Sequence, residues 1–343
     1  MKKRIALAAG VLSLLLITGC SSSDFDYTVS NELVTVKGYK NETLPIDLVI
    51  PNEINKKSVA FIDSKAFCNQ SSIRTVALPA SLKKIRRSAF ENCINLSEVV
   101  IPSSVTELEN CSFKGCSSLT SILMNNAPLE IRQEAFMNCT SLRDISFSSL
   151  TTDIGERAFE NCSSIEQITL GEETKIIRGS AFANCTALRD ISFSPLTVYI
   201  GDSAFENCSS IEQITLGENI LTIGNNAFAN CTALKSIEIK GAGPDCSIYP
   251  NAFSGCTNIE NVTITQSFID AYVASRSAPA KDINRKDTLR YKISRGKPIC
   301  FVEEIPSVKT ITVDGVVYTK DDFLNHWSSC WYKTLPKIEI HTG

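Results

Sequence analysis

The sequence predicts a β-rich α/β solenoid of about nine units of 23 residues, with caps and a small β-rich domain behind it. Three observations carry this expectation. A Phe followed three residues later by a Cys returns at a fixed interval, as Phe90, Phe113, Phe136, Phe159, Phe182, Phe205 and Phe228 with Cys93, Cys116, Cys139, Cys162, Cys185, Cys208 and Cys231. Phe67 opens the series with Gln70 in the Cys slot, and Phe253 with Cys256 closes it after a 25-residue step. Apolar slots keep the same phase, as in Leu96, Leu119, Leu142, Ile165 and Leu188, and in Val99, Ile122, Ile145, Ile168 and Ile191. A second period lies above the first: residues 139–184 and 185–230 are near copies, sharing DISFS, AFENCSSIEQITLGE and AFANCTAL. A fixed period of this length means stacked units, because no single unit can bury its own apolar face.

Composition allows an ordinary folded core, with 43% hydrophobic and 21% charged residues among 343. In chain order, residues 1–19 open with Lys2, Lys3 and Arg4, followed by 13 apolar residues from Ile5 to Ile17. That run is too short to span a bilayer as a mature helix. Ile17-Thr18-Gly19-Cys20 then precedes Ser21-Ser22-Ser23-Asp24. This resembles a bacterial lipoprotein signal with its lipobox, which implies cleavage before Cys20 and acylation of Cys20. Several acyl chains anchor firmly, at roughly 0.8 kcal/mol per buried methylene. Ser21 after the Cys resembles an outer-membrane sorting signal, and Asp24 and Asp26 a weak surface-export signal. Residues 20–26 read as a lipidated tether.

Residues 27–60 alternate like a hairpin and read as the N-terminal cap that an open solenoid end needs. Residues 61–265 carry the repeats. In the unit 185–207, Leu188, Ile191 and Phe193 give a strand with one buried face, and Pro195 turns the chain. Val198 and Ile200 form a second short extended piece. Gly201 and Asp202 bend it, with Asp202 expected to cap a short helical turn bearing Ala204 and Phe205. These residues resemble the BspA-type leucine-rich repeat of bacterial surface proteins, whose unit runs L-x-x-I-x-L-P…I-G-x-x-A-F-x-N-C. The resemblance covers roughly residues 45–265 and implies a right-handed leucine-rich repeat horseshoe. Cys111-Ser112-Phe113 and the last step through Gly241-Ala242-Gly243-Pro244 depart from the pattern. Residues 266–287 read as a capping helix and a basic linker, and 288–343 as the small β-rich domain, with an Asp314-Gly315 turn and a short helix over 321–327.

Fourteen cysteines in an exported chain would suggest a disulfide framework. Cysteines in one slot of successive rungs, however, stack about 4.8 Å apart and point the same way, whereas a disulfide needs facing Cβ atoms about 3.8 Å apart. The ladder cysteines are therefore expected to be buried, unpaired thiols making weak hydrogen bonds. Cys68, Cys111, Cys246, Cys300 and Cys330 lie off the ladder, and Cys300 with Cys330 is the one plausible bridge.

The formal net charge is −3, and removing the three signal bases leaves −6. From Arg276 to Lys297 eight bases face two acids, a local +6, so the rest of the mature chain sits near −12. Within that stretch Arg285, Lys286, Arg290 and Lys292 are candidate polyanion contacts, against the plainer reading of a solvated linker. Strand alternation names an outward face of Glu98, Val100, Leu123, Asp144, Gln167, Asp190 and Gln213. It is small, polar and mildly acidic, with an apolar spot at Val100 and Leu123, and suits either a protein or glycan partner or mere solubility. Trp327 and Trp331 are candidates for sugar stacking or for the core of the last domain.

Only His326 and His341 occur, and no H-E-x-x-H, G-x-S-x-G, phosphate loop or C-x-x-C is present. No metal, cofactor or catalysis is expected, and a His326 dyad with Cys300 or Cys330 is the sole enzymatic alternative. Nucleic acid is not an expected partner. The resemblance implies a lipid-anchored surface protein, joined to the outer membrane through Cys20, that recognises host or bacterial surface proteins or glycans and mediates adhesion. The alternative is a glycan-binding or envelope-scaffolding lipoprotein that acts through its C-terminal domain, with the repeats as spacer.

Overall fold

The computed structural model describes residues 20–41, 44–124, 129–240, 247–249, 251–265 and 307–323. Residues 1–19, the expected capping helix after 265, the basic stretch 276–297, Cys246, Cys300 and residues 324–343 lie outside them.

The chain winds as a solenoid around a column of nine phenylalanines, Phe67 to Phe253. Consecutive rings stack 5.2–5.5 Å apart and within 14° of parallel. All nine are at most 4% exposed. Offset stacking at this spacing is a favoured aromatic geometry, and it fixes rung against rung along the axis.

Each turn has three sides. On the first, the strands Asp47–Val49, Thr75–Ala77, Glu98–Ile101, Ser121–Met124 and Asp144–Ser146 form a five-stranded parallel sheet. Gln167–Thr169 and Asp190–Ser192 pair only with each other. Gln213–Leu216, Ser236–Ile239 and Asn261–Ile264 continue in a further sheet. The two interruptions follow the strands that lead into Phe147 and Phe193. Other rungs hold Ile101, Met124, Leu170, Leu216 or Ile239 in that slot. The Phe147 ring meets Phe159 of its own unit edge-on at 5.5 Å, and Phe193 meets Phe205 likewise at 5.8 Å. A phenyl ring held edge-on needs more room than an aliphatic side chain, and strand pairing to the following rung is lost at both places.

On the second side, two-residue strands such as Glu107–Leu108, Glu130–Ile131, Asp153–Ile154, Ile176–Ile177 and Tyr199–Ile200 stack without interruption. Glycine stands at the end of several of them because the rungs approach closely there. A Cβ on Gly201 would lie 2.6 Å from the backbone nitrogen of Gly179.

The third side corrects the expected helical turn. Residues 202–207 are turns, with Ser203 at φ 56° and Asn207 at φ 61°. Left-handed residues twice per turn cannot propagate a helix. Alternate N–H groups bond across rungs instead: Ser203 to Asn225 O, Phe205 to Ala227 O and Asn207 to Ala229 O, at 2.7–2.8 Å. Asp202 caps no helix; its Oδ1 accepts the Asn225 N–H of the next rung at 2.8 Å. Helix is scarce among the described residues, confined to a 3₁₀ turn at Ser22–Asp24 and one turn over 320–323.

At the N-terminal end, Phe25–Ser30 and Leu33–Tyr39 form an antiparallel hairpin whose second strand runs parallel to Lys57–Ile62. Phe25 is fully buried, so only Ser21–Asp24 separate Cys20 from the core. At the other end, Thr310–Val313 pairs parallel with Asn261–Ile264 and turns through Asp314 and Gly315 into Val316–Thr319. Val308, Ile311, Val313 and Phe323 join the same core as the repeats. The described part of the C-terminal region is thus a hairpin laid on the last rung, covering its apolar end.

Candidate recognition face

The first side positions the candidate residues. Strand alternation turns Val99, Ile122, Ile168 and Ile214 inward, each 2% exposed, and turns their neighbours outward. Glu98, Asp144, Gln167, Asp190 and Gln213 are exposed, Val100 is 51% exposed and Leu123 is half-buried. Pairing puts Val100 beside Leu123 and Glu98 beside Ser121. It also extends the apolar spot: Val49 lies beside Ala77, and the same register carries Ala77 to Val100. Val49 and Asp47 were legible as L-P-I-D-L-V-I-P, a first strand like the others, but their place on the same sheet face follows only from the winding.

The face is held rigid from behind. Each ladder thiol from Cys93 to Cys231 donates to the carbonyl of a Phe 26 residues earlier, as Cys93 to Phe67, Cys139 to Phe113 and Cys208 to Phe182, at 3.1–3.3 Å. Burial pushes the Cys93, Cys139 and Cys208 thiols up to about 12, and Cys116, Cys162 and Cys185 well above their ordinary value. These thiols are therefore inert packing groups rather than nucleophiles. A carboxamide ladder reinforces the turns: Asn161 donates to Asn138, Asn184 to Asn161 and Asn207 to Asn184, at 2.7–2.9 Å. Its sequence signal is the Asn before each Cys; left-handed backbone favours Asn, and stacking aligns the amides.

The charges differ between sides. On the second side Glu107 joins Lys84 at 2.6 Å and Arg132 at 2.9 Å, and the Lys84 hydrogen bond holds its carboxyl below the usual range. Arg178 clasps Asp153 through Nε and Nη2. On the first side, Arg143, Glu166, Arg189, Glu212, Lys235, Glu260 and Lys309 alternate in sign just before the strands. Lys235 pairs with Glu212, and Lys309 with Glu260. Glu98, Asp144 and Asp190, within the strands, have no ion-pair partner among the described residues.

Cys20 is half-buried and packs against the N-terminal edge of the core, beside Tyr39. The polyanion candidates Arg285, Lys286, Arg290 and Lys292 and the stacking candidates Trp327 and Trp331 lie outside the described residues, as do His326 and Cys330.

Comparison with known proteins agrees with this architecture. The family model of the BspA type leucine rich repeat region matches residues 48–166 and 152–278, in six copies. A leucine-rich repeat protein from Bacteroides ovatus is similar at 24% identity over 70% of each chain, with a TM-score of 0.54. A leucine rich cell surface protein from Faecalibacterium prausnitzii is similar at 17% identity over 87% of this chain and 95% of its own, with a TM-score of 0.51. At these identities the likeness is one of fold. Among curated proteins none matches the chain.

Proposed function

Because this chain belongs to the BspA-type leucine-rich repeat family, we propose that it is a lipid-anchored bacterial surface protein that recognises other proteins through its repeat face and mediates adhesion. The observation that carries this reading is the first side itself. A row of outward side chains is repeated at strand spacing on a fully packed core, and the carboxylates of Glu98, Asp144 and Asp190 have no ion-pair partner among the described residues. Such a surface offers many weak contacts in register, which multivalency can sum. The two solved proteins named above are bacterial repeat proteins, one of them named as a cell surface protein. Acylation of Cys20 would tie the N-terminal cap to the outer membrane with four residues between lipid and core, so the cap end would face the membrane and the repeats would project away.

The test has two arms. Metabolic labelling with a fatty-acid analogue should mark the chain and fail on Cys20→Ala, and protease shaving of intact cells should remove it while a periplasmic control survives. The purified chain should then bind intact host or bacterial cells, and pre-treating those cells with protease should abolish binding. Survival of binding after that treatment would favour a glycan target. Deleting 276–343 does not isolate the C-terminal contribution, because residues 307–323 cover the last rung. Deleting 324–343 alone, or replacing Arg285, Lys286, Arg290 and Lys292 by Ser, does so.

A further inference from the structure

On the first side, the five-stranded sheet from Asp47–Val49 to Asp144–Ser146 is one continuous surface of known register. Its outward residues form two parallel rows. One holds Val49, Ala77, Val100 and Leu123 on four successive strands. The other holds carboxylates on the first, third and fifth strands, Asp47, Glu98 and Asp144, with the neutral Thr75 and Ser121 between them. Among the described residues none of the three carboxylates has an ion-pair partner; Asp47 accepts only the Thr75 hydroxyl at 2.6 Å. The nearest bases in sequence, Arg74 and Arg143, stand one residue before their strands, outside the row. A partly exposed apolar row beside unpaired charge of one sign marks an interaction site.

We infer that this sheet face docks an amphipathic α-helix of a protein partner, lying across the strands, with basic residues every seventh position beside an apolar stripe. The inference rests on the reading of the chain as a protein-recognition scaffold and names the partner's chemistry. Carboxylates on alternate strands lie about 9.6 Å apart, at about 4.8 Å per strand. Seven residues of α-helix rise about 10.5 Å, so bases at that interval stay in step with Asp47, Glu98 and Asp144. An extended strand cannot match this: its bases would need to recur every third residue, which places successive ones on opposite faces. Three bases at that interval need a helix of about 15 residues, whose rise of about 21 Å covers the four strand spacings of about 19 Å.

The experiment uses fluorescence anisotropy with the full chain in detergent and three synthetic helical peptides. One carries Lys at every seventh position beside a Leu stripe, the second has Glu in place of Lys, and the third has Lys at every fourth position. The first should bind about tenfold more tightly than the others at low salt, the worth of a few exposed ion pairs. The triple variant Asp47→Asn, Glu98→Gln and Asp144→Asn should lose that margin, and Val100→Ser with Leu123→Ser should weaken the first peptide too. All five positions are exposed or half-buried, and unchanged circular dichroism would show intact folding. Equal binding of the Glu peptide, or undiminished binding by the triple variant, overturns the inference. A chain that binds cells in the assay above but not the Lys peptide overturns the helix assignment alone; a chain that binds neither overturns both readings.

Discussion

Phe159 sits between Phe136 and Phe182 at 5.2 and 5.3 Å, fully buried, with Phe147 against its edge. Truncation leaves a cavity that rigid neighbours cannot fill. Phe159→Ala should cost about 3–5 kcal/mol, read as a shift of the urea midpoint, and Phe159→Leu markedly less. The thiols below the rings give a pH signature. Burial raises the pKa values of the six from Cys93 to Cys208, to about 12 for Cys93, Cys139 and Cys208. The unfolded chain ionises its thiols first, near about 8.5. The stability these groups contribute is therefore whole below that value and is lost as pH rises from there toward the folded pKa. Denaturation midpoints should fall between pH 8 and 10 at a slope that Cys139→Ala reduces. Alkylation without reductant should reach eight further thiols, Cys256 included, once the protein is denatured. Labelling close to zero would mean that the ladder is disulfide-bonded.

Beyond Ile62 the described strands are two to four residues long, so an element's stability lies in how rungs meet. Gly201 shows the constraint: an added Cβ would meet Gly179 N at 2.6 Å and Arg178 C at 2.7 Å, both backbone. Gly201→Ala should cost about 1–3 kcal/mol, while Gly217→Ala, whose Cβ would meet nothing within 4 Å, should be near neutral in the same melt. The gaps beside Phe147 and Phe193 belong to this scale too. Replacing Phe147 by Leu should let Asp144–Ser146 and Gln167–Thr169 pair. Hydrogen exchange at the Gln167 and Thr169 amides, which face that strand, should then slow; unchanged rates would show that the ring is not what holds the strands apart.

For the whole molecule, the solenoid is a linear array in which each rung touches only its neighbours, so its ends decide solubility. Ile311 and Val313 are buried against the last rung. Deleting 307–343 should expose that rung and drive self-association, seen by light scattering, whereas deleting 324–343 should leave a monodisperse chain if the hairpin is the cap. The same array explains how the recognition face can be polar and yet precise. Its register is fixed from behind by ring, thiol and carboxamide ladders, and the outward side chains are free to vary.

The sequence by itself determined the period, the buried slots, the unpaired ladder thiols and the family, because each depends on one residue type recurring in phase. Residues such as Val99 and Glu98 could be sorted into inward and outward for the same reason: alternation along a strand is local. What only the tertiary structure decided depends on residues brought together by winding. The Ala-Phe segment looked helical because its own N–H groups could bond locally, yet stacking offered half of them carbonyls on the next rung. The hairpin at 310–319 was legible as a hairpin, but its role as a cover follows from the unpaired edge of Asn261–Ile264. Asp47 and Glu98 are 51 positions apart in sequence and two strands apart in space, so their common row exists only once the rungs are stacked.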